Sequence, residues 1–179
     1  MKRICLAIAL AVNLSSAAFA ESVSEKTGIN SALGIAPKTE DFIKEAATSD
    51  MLEIEAARIA QQKKGGPAEK TFAEQMIADH TKTSTELKDL VPADLKSALP
   101  TDLDEISQKQ LDKLRDTRDQ AFASVYDPMQ VSAHKDAVSL FERYAKGGED
   151  ANLKDWAGKT LPSLRHHLEM AEELDKNRK

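Results

Sequence analysis

The sequence predicts an all-α protein, a bundle of four long helices with one long connection between the second and the third. Three observations predict it. Apolar residues recur at steps of three and four in four separate segments, which is the period of a helix face. No window shows the period-two alternation of a half-buried strand. Aromatic residues make up only 4% of the chain, too few for the core of a sandwich or barrel of this size and well suited to closely packed helices.

Residues 1–20 read as a cleaved signal peptide. Lys2 and Arg3 precede the apolar run Ile4 to Val12, and Ala18-Phe19-Ala20 is a small-x-small cleavage site before Glu21. The run is too short to cross a bilayer as a helix. The expected location is therefore exported, in the periplasm or cell envelope. The single cysteine, Cys5, lies in this segment, so the mature chain has no thiol for a disulfide or a thiolate metal site. Removing 20 of the 179 residues leaves 159, and losing Lys2 and Arg3 takes the formal charge from −5 to −7. That length suits one domain. The acidic balance argues against a nucleic-acid backbone as partner, and no later run is long enough for a transmembrane segment.

Residues 21–38 are polar, lack a helical stripe and read as a flexible N-terminal arm, either a spacer or a docking tail. The bundle domain is expected over 39–176. Its first long helix should run from Thr39, as N-cap, to Gln62, with Phe42, Ala46, Ser49, Glu53, Ala56 and Ala60 inward. Glu53 and Glu55 lie about 200° apart on a helix, so only one of them faces the core; Glu53 is the favoured one. Lys63-Lys64-Gly65-Gly66-Pro67 is a stop and restart, with glycine ending one helix and proline tolerated in the first turn of the next.

The second helix, Pro67 to about Leu90, carries Ala73, Met76, His80, Thr83, Leu87 and Leu90 on one stripe. Val91 to Arg118 then contains Pro92, Pro100 and a shorter helix from about Leu103 to Arg115, with Asp102 as cap and Ile106, Leu111 and Leu114 as its apolar contacts. That segment can run the length of a bundle, the connection pattern of ferritin-like folds. The third long helix, about Asp119 to Lys146, should kink at Pro128 or split just after Tyr126; Val131, His134, Val138, Phe141 and Ala145 form its stripe. The fourth, near Asp150 to Lys176, has Leu153, Ala157, Thr160, Leu164, His167, Ala171 and Leu174, with Pro162 inside.

Each apolar stripe is broken once near its middle by a metal-ligand type of side chain: Glu53, His80, His134 or His167. Measured from the nearest turn at 1.5 Å per residue, these lie about 17 to 26 Å along helices roughly 35 to 40 Å long. They share a layer as well as a face. Three imidazoles and a carboxylate would suit one divalent transition metal, zinc, copper(II) or iron(II). The other reading is a metal-free buried polar network with Asp79, Thr83 or Tyr126. His166, 100° off the stripe, is expected to be exposed. Met76 and Met170 are either soft ligands that would favour copper(I) or core filler.

The paired Glu-x-x-His motifs of di-iron carboxylate bundles are absent: Ile77, Val131 and Leu164 stand three residues before the histidines. Nor is there a Gly-x-Ser-x-Gly, a His-Glu-x-x-His or a glycine-rich phosphate loop.

Glu53-Ile54-Glu55 before Ala60, Phe72-Ala73-x-x-Met76-x-x-Asp79-His80, Phe122-x-x-x-Tyr126 with His134, and Leu161-Pro162-x-Leu164-x-x-His167-Leu168 resemble the exported bacterial domain-of-unknown-function family 4142. The resemblance covers nearly all of Phe42 to Leu174. It implies a ferritin-like four-helix fold and a periplasmic or envelope location, and no settled activity. The family's pattern usually has Asp directly after the phenylalanine; here that position is Ala123.

Three functional readings follow. One is an exported metal-binding bundle, protective under stress, without turnover. Another is a metal-dependent redox enzyme. The third is a metal-free structural or partner-binding module, with a homo-oligomer among the possible assemblies. The missing Glu-x-x-His pairs favour the first.

Overall fold

The computed structural model describes Glu25, residues 28–64 and residues 66–178. The expected signal peptide and Gly65 lie outside the described residues. In chain order the elements are α1 (Ile29–Leu33), α2 (Thr39–Gln62), α3 (Pro67–Leu90), a 3-10 segment (Ala93–Ala98), α4 (Glu105–Asp116), a 3-10 turn (Asp119–Ala121), α5 (Phe122–Gly147) and α6 (Ala151–Asn177). Among the described residues there is no strand, and no helix is long and apolar enough to cross a membrane.

Helices α2 and α3 form one hairpin, and α5 and α6 form another. The second hairpin turns tightly at Gly148, where a Cβ would come within 2.6 Å of the Tyr144 ring. Asp150 then caps α6 by accepting from the Leu153 amide at 2.9 Å. The segment between the hairpins runs back along the bundle. It leaves α3 beside the start of α2, where Val91 and Ala98 join Phe42 in one apolar cluster. It arrives beside the end of α2, where the Lys63 ammonium donates to the carbonyls of Arg115 and Thr117, both at 2.6 Å. Antiparallel hairpins joined this way make α3 parallel to α5.

The core is two apolar clusters with a polar layer between them. At one end Phe42 stacks on Tyr144, centroids 3.8 Å apart, with Phe141 and Trp156 against them. At the other, Phe72, Phe122 and Tyr126 pack with Met76, Leu111 and Leu114. On every long helix the sequence passes from one cluster to the other through a buried polar residue: Asp50 and Glu53 on α2, His80 on α3, His134 on α5 and His167 on α6.

Several local expectations change. Thr39 is the first residue of α2 and Lys38 is the N-cap; the Thr39 hydroxyl pairs with the Tyr144 phenol at 2.9 Å instead of capping. Helix α2 ends in extended backbone at Lys63, not at a glycine. Helix α4 begins two residues later than expected, because Asp104, not Asp102, accepts from the Ser107 amide at 2.8 Å. Leu111 and Leu114 are buried there, whereas Ile106 points outward at 73% exposure. Helix α5 does not split: it runs unbroken through Pro128, as α6 does through Pro162. Both prolines lie on exposed faces, where water can take the carbonyl that each leaves without a helical partner.

The described part of the arm is docked, not free. The Arg143 guanidinium on α5 pairs with Glu25 at 2.6 Å and donates to the Ile35 carbonyl at 2.9 Å. The Ser31 and Ser139 hydroxyls meet at 3.2 Å. Gly34, at φ +66°, closes α1 and turns the chain toward α2.

Candidate metal centre

His80, His134 and His167 come from three helices and meet in the polar layer. Each offers one ring nitrogen, and these donor atoms all lie within 4.8 Å of one another. Ring centroids are 5.8, 5.5 and 5.6 Å apart for the pairs 80–134, 80–167 and 134–167. All three residues are buried.

In each ring one nitrogen is held and the other has no hydrogen-bond partner. His80 Nδ1 donates to Asp50 Oδ1 at 2.8 Å, His134 Nδ1 to the Gln130 carbonyl at 2.9 Å, and His167 Nε2 to Asp79 Oδ2 at 2.8 Å. The unpartnered atoms are His80 Nε2, His134 Nε2 and His167 Nδ1. An acceptor on one nitrogen fixes the neutral tautomer and leaves the lone pair of the other free, the arrangement that orients metal-ligating histidines. The acceptors are themselves braced. Thr83 and Ser84 donate to Asp50 at 2.9 and 3.2 Å, and Gln75 donates to Asp79 at 2.6 Å.

Electrostatics separate the three rings. Burial lowers His134 to about 4, helped by the charge of His80 and opposed by the Gln130 carbonyl. Burial likewise lowers His167 to about 4, against its bond to Asp79. Burial also pulls His80 down, but the bond to Asp50 and the charges of Asp50, Glu53 and Asp79 outweigh it and leave His80 raised. On Asp79, burial acts upward, yet its bonds to Gln75 and His167 prevail and lower it.

Glu53 is 1% exposed and faces the core, while Glu55 lies outward and pairs with Arg58. Glu53 stands beside the triad and outside the 4.8 Å group. Burial pushes its carboxyl up to about 7, offset in part by His80 and by the nearby Gln130 amide. That amide is close enough to favour the carboxylate without reaching hydrogen-bond geometry, and both Glu53 oxygens are left without a partner. His166 is exposed on α6, at 69%. Met76 and Met170 pack in the apolar cluster around Phe72 and Tyr126.

Two residues of this centre do not stand out in the sequence. Asp50 lies three before Glu53, so the helical period places both on one face; Ser49 occupies the expected stripe and masks it. Gln130 serves through its backbone carbonyl, which no sequence pattern marks.

Fold and site together define a helical bundle built around a buried three-histidine centre. The chain belongs to the family described as domain of unknown function DUF4142, whose model matches residues 24–174. Neither a search of curated proteins nor a search of solved structures returns a match.

Proposed function

We propose that this protein binds one divalent transition metal in its core through His80, His134 and His167, with Glu53 as a fourth ligand or as the acceptor for a metal-bound water. The observation that carries the reading is three buried imidazoles, each with one unpartnered nitrogen, whose donor atoms lie within 4.8 Å of one another. Three buried, unsatisfied acceptors would each cost about 1–3 kcal/mol, and a single cation answers all three. Nitrogen ligands with one carboxylate suit zinc, copper(II) or iron(II) better than calcium or magnesium. One carboxylate and no Glu-x-x-His pair fall short of the ligand set that holds two irons in a bundle, so the reading is of a binding and sequestering bundle and not a di-iron oxidase. The pattern in residues 1–20 supports placing this activity outside the cytoplasm.

The test is a thermal melt of the mature protein with zinc, copper, iron(II) or manganese. A ligand that binds only the folded state at 100 times its Kd stabilises it by about 2.7 kcal/mol. His80→Ala should abolish the metal-dependent rise and His166→Ala should keep it. No shift in the wild type at pH 7.5, or loss of the shift in His166→Ala alone, would discard the assignment. Metal-dependent consumption of peroxide or ferrous iron would instead identify a redox enzyme. A metal-free network predicts no shift with any metal, with His80→Ala destabilising by about 1–3 kcal/mol.

A further inference from the structure

Buried polar atoms without partners do not stop at the histidines. Next to the triad come both oxygens of Glu53 and both amide atoms of Gln130. One helical turn further toward the start of α5 is the Tyr126 hydroxyl, also unpartnered in a residue that is 0% exposed. Beside it are both carboxylate oxygens of Asp127, equally buried. His134, Gln130 and Tyr126 follow one another at steps of four on α5, so they lie on a single face. Tyr126 feels the charges of Glu53, Asp127 and Glu69. Asp127 in turn feels Glu69, Arg178 and Asp175.

The order along the bundle follows from position along the helices: the triad, then Glu53 with Gln130, then Tyr126, then the carboxylates of Asp127, Glu69 and Asp175. The last three lie near the start of α5, the start of α3 and the end of α6. They therefore share the end of the bundle that holds the α2–α3 turn. Arg178 pairs with Asp175 at 2.8 Å at this mouth.

We infer that divalent cations reach the histidines along this buried polar column, entering at Glu69 and Asp175 and passing Asp127, Tyr126 and the Glu53–Gln130 pair. The inference rests on the metal-binding reading above. The acidic mouth does not hold an ion tightly: among the described residues, the three histidines form the only group whose donor atoms all close to within 4.8 Å. Its role is capture. Carboxylates in a low-dielectric setting concentrate cations and raise the rate of entry. Tyr126 and Gln130 then offer oxygens to an ion that has shed part of its water before the nitrogens take it. The flanking aromatic and aliphatic cluster around Phe72, Phe122 and Leu114 provides no such oxygens, so this column is the polar way through that end.

The experiment is stopped-flow loading of the metal-free mature protein with Co(II), followed by the visible absorption of the nitrogen-ligated ion. Asp127→Asn and Tyr126→Phe should slow loading by about tenfold or more and leave the final spectrum and stoichiometry unchanged. Asp155→Asn, an exposed carboxylate at the start of α6 near the opposite end, should load at the wild-type rate. Unchanged rates in Asp127→Asn and Tyr126→Phe would overturn the route. Equal slowing by Asp155→Asn would overturn it too, because only overall charge would then matter. A changed final spectrum in Asp127→Asn would place Asp127 in the centre itself and refute its place on the route. Absence of any Co(II) spectrum in the wild type would refute the histidine centre, an outcome distinct from all of these.

Discussion

Asp50 Oδ1 lies 2.8 Å from His80 Nδ1, inside the core, with Thr83 and Ser84 holding the other side of the carboxylate. This pair sets both the tautomer and the proton affinity of one of the three histidines. It also accounts for a buried aspartate that no apolar packing would tolerate.

Asp50→Asn should weaken metal binding by about 10- to 100-fold, the usual cost of losing a group that orients a ligating histidine. An amide can still accept from His80 but carries no charge. Isothermal titration with zinc measures the change. Affinity equal to wild type would show that Asp50 does not orient His80 for a metal.

Metal binding should weaken as pH falls. The ligating form of each ring is neutral. His134 and His167, lowered to about 4, stay neutral through pH 5. His80, raised by Asp50, takes up its proton first as pH falls. The metal-dependent rise in Tm should therefore decline as pH falls through His80's raised value. In Asp50→Asn the decline should shift to lower pH. Melts at half-unit intervals of pH, with and without zinc, read both curves.

Asp127 should make the metal-free protein more stable in mild acid than in mild base. Burial, with the charge of Glu69, lifts its folded-state pKa from 3.8 to about 7, against the pull of Arg178. Between those values the folded protein holds a proton that the unfolded chain has lost, so this group's contribution to stability falls as pH rises from about 4 to 7 and is flat above. Asp127→Asn should remove that slope and raise Tm at pH 8 more than at pH 4. A variant with the wild-type profile would show that the carboxyl is not strained.

Arg143→Ala should release the N-terminal arm. It removes the Glu25–Arg143 ion pair and frees the Ile35 carbonyl. Breaking a buried ion pair from one side costs about 3–5 kcal/mol where the pocket stays closed; here the arm can swing out and regain water, so the global loss should be smaller. Limited proteolysis should cut before Thr39 in the variant well ahead of the wild type, while the bundle from α2 onward survives. Equal protection of the arm in both would show that Arg143 does not hold it.

Helix positions were legible in the sequence because each long helix buries one continuous face, and burial imposes the 3.6-residue period on residue choice. Three of the four proposed ligands were legible as a converging set for the same reason: a polar residue on an apolar stripe is conspicuous. Their shared depth followed from the rise per residue alone. Ile106 was misread because the period says which face a residue occupies and not whether a neighbouring element covers that face.

What the sequence determined by itself is the all-α bundle, its crossover, the inward histidines and the inward choice of Glu53. These depend on local period and on distance along the chain. Only the tertiary structure decided the rest. It seated Asp50, Asp79 and the Gln130 carbonyl on the far nitrogens of the three rings. It left Glu53 beside the triad and docked Glu25 on Arg143. Each of those relations joins groups on different helices or through backbone carbonyls. The rotation of one helix against its neighbour, a matter of a few ångströms in packing, decides them, and no spacing along a single chain encodes it.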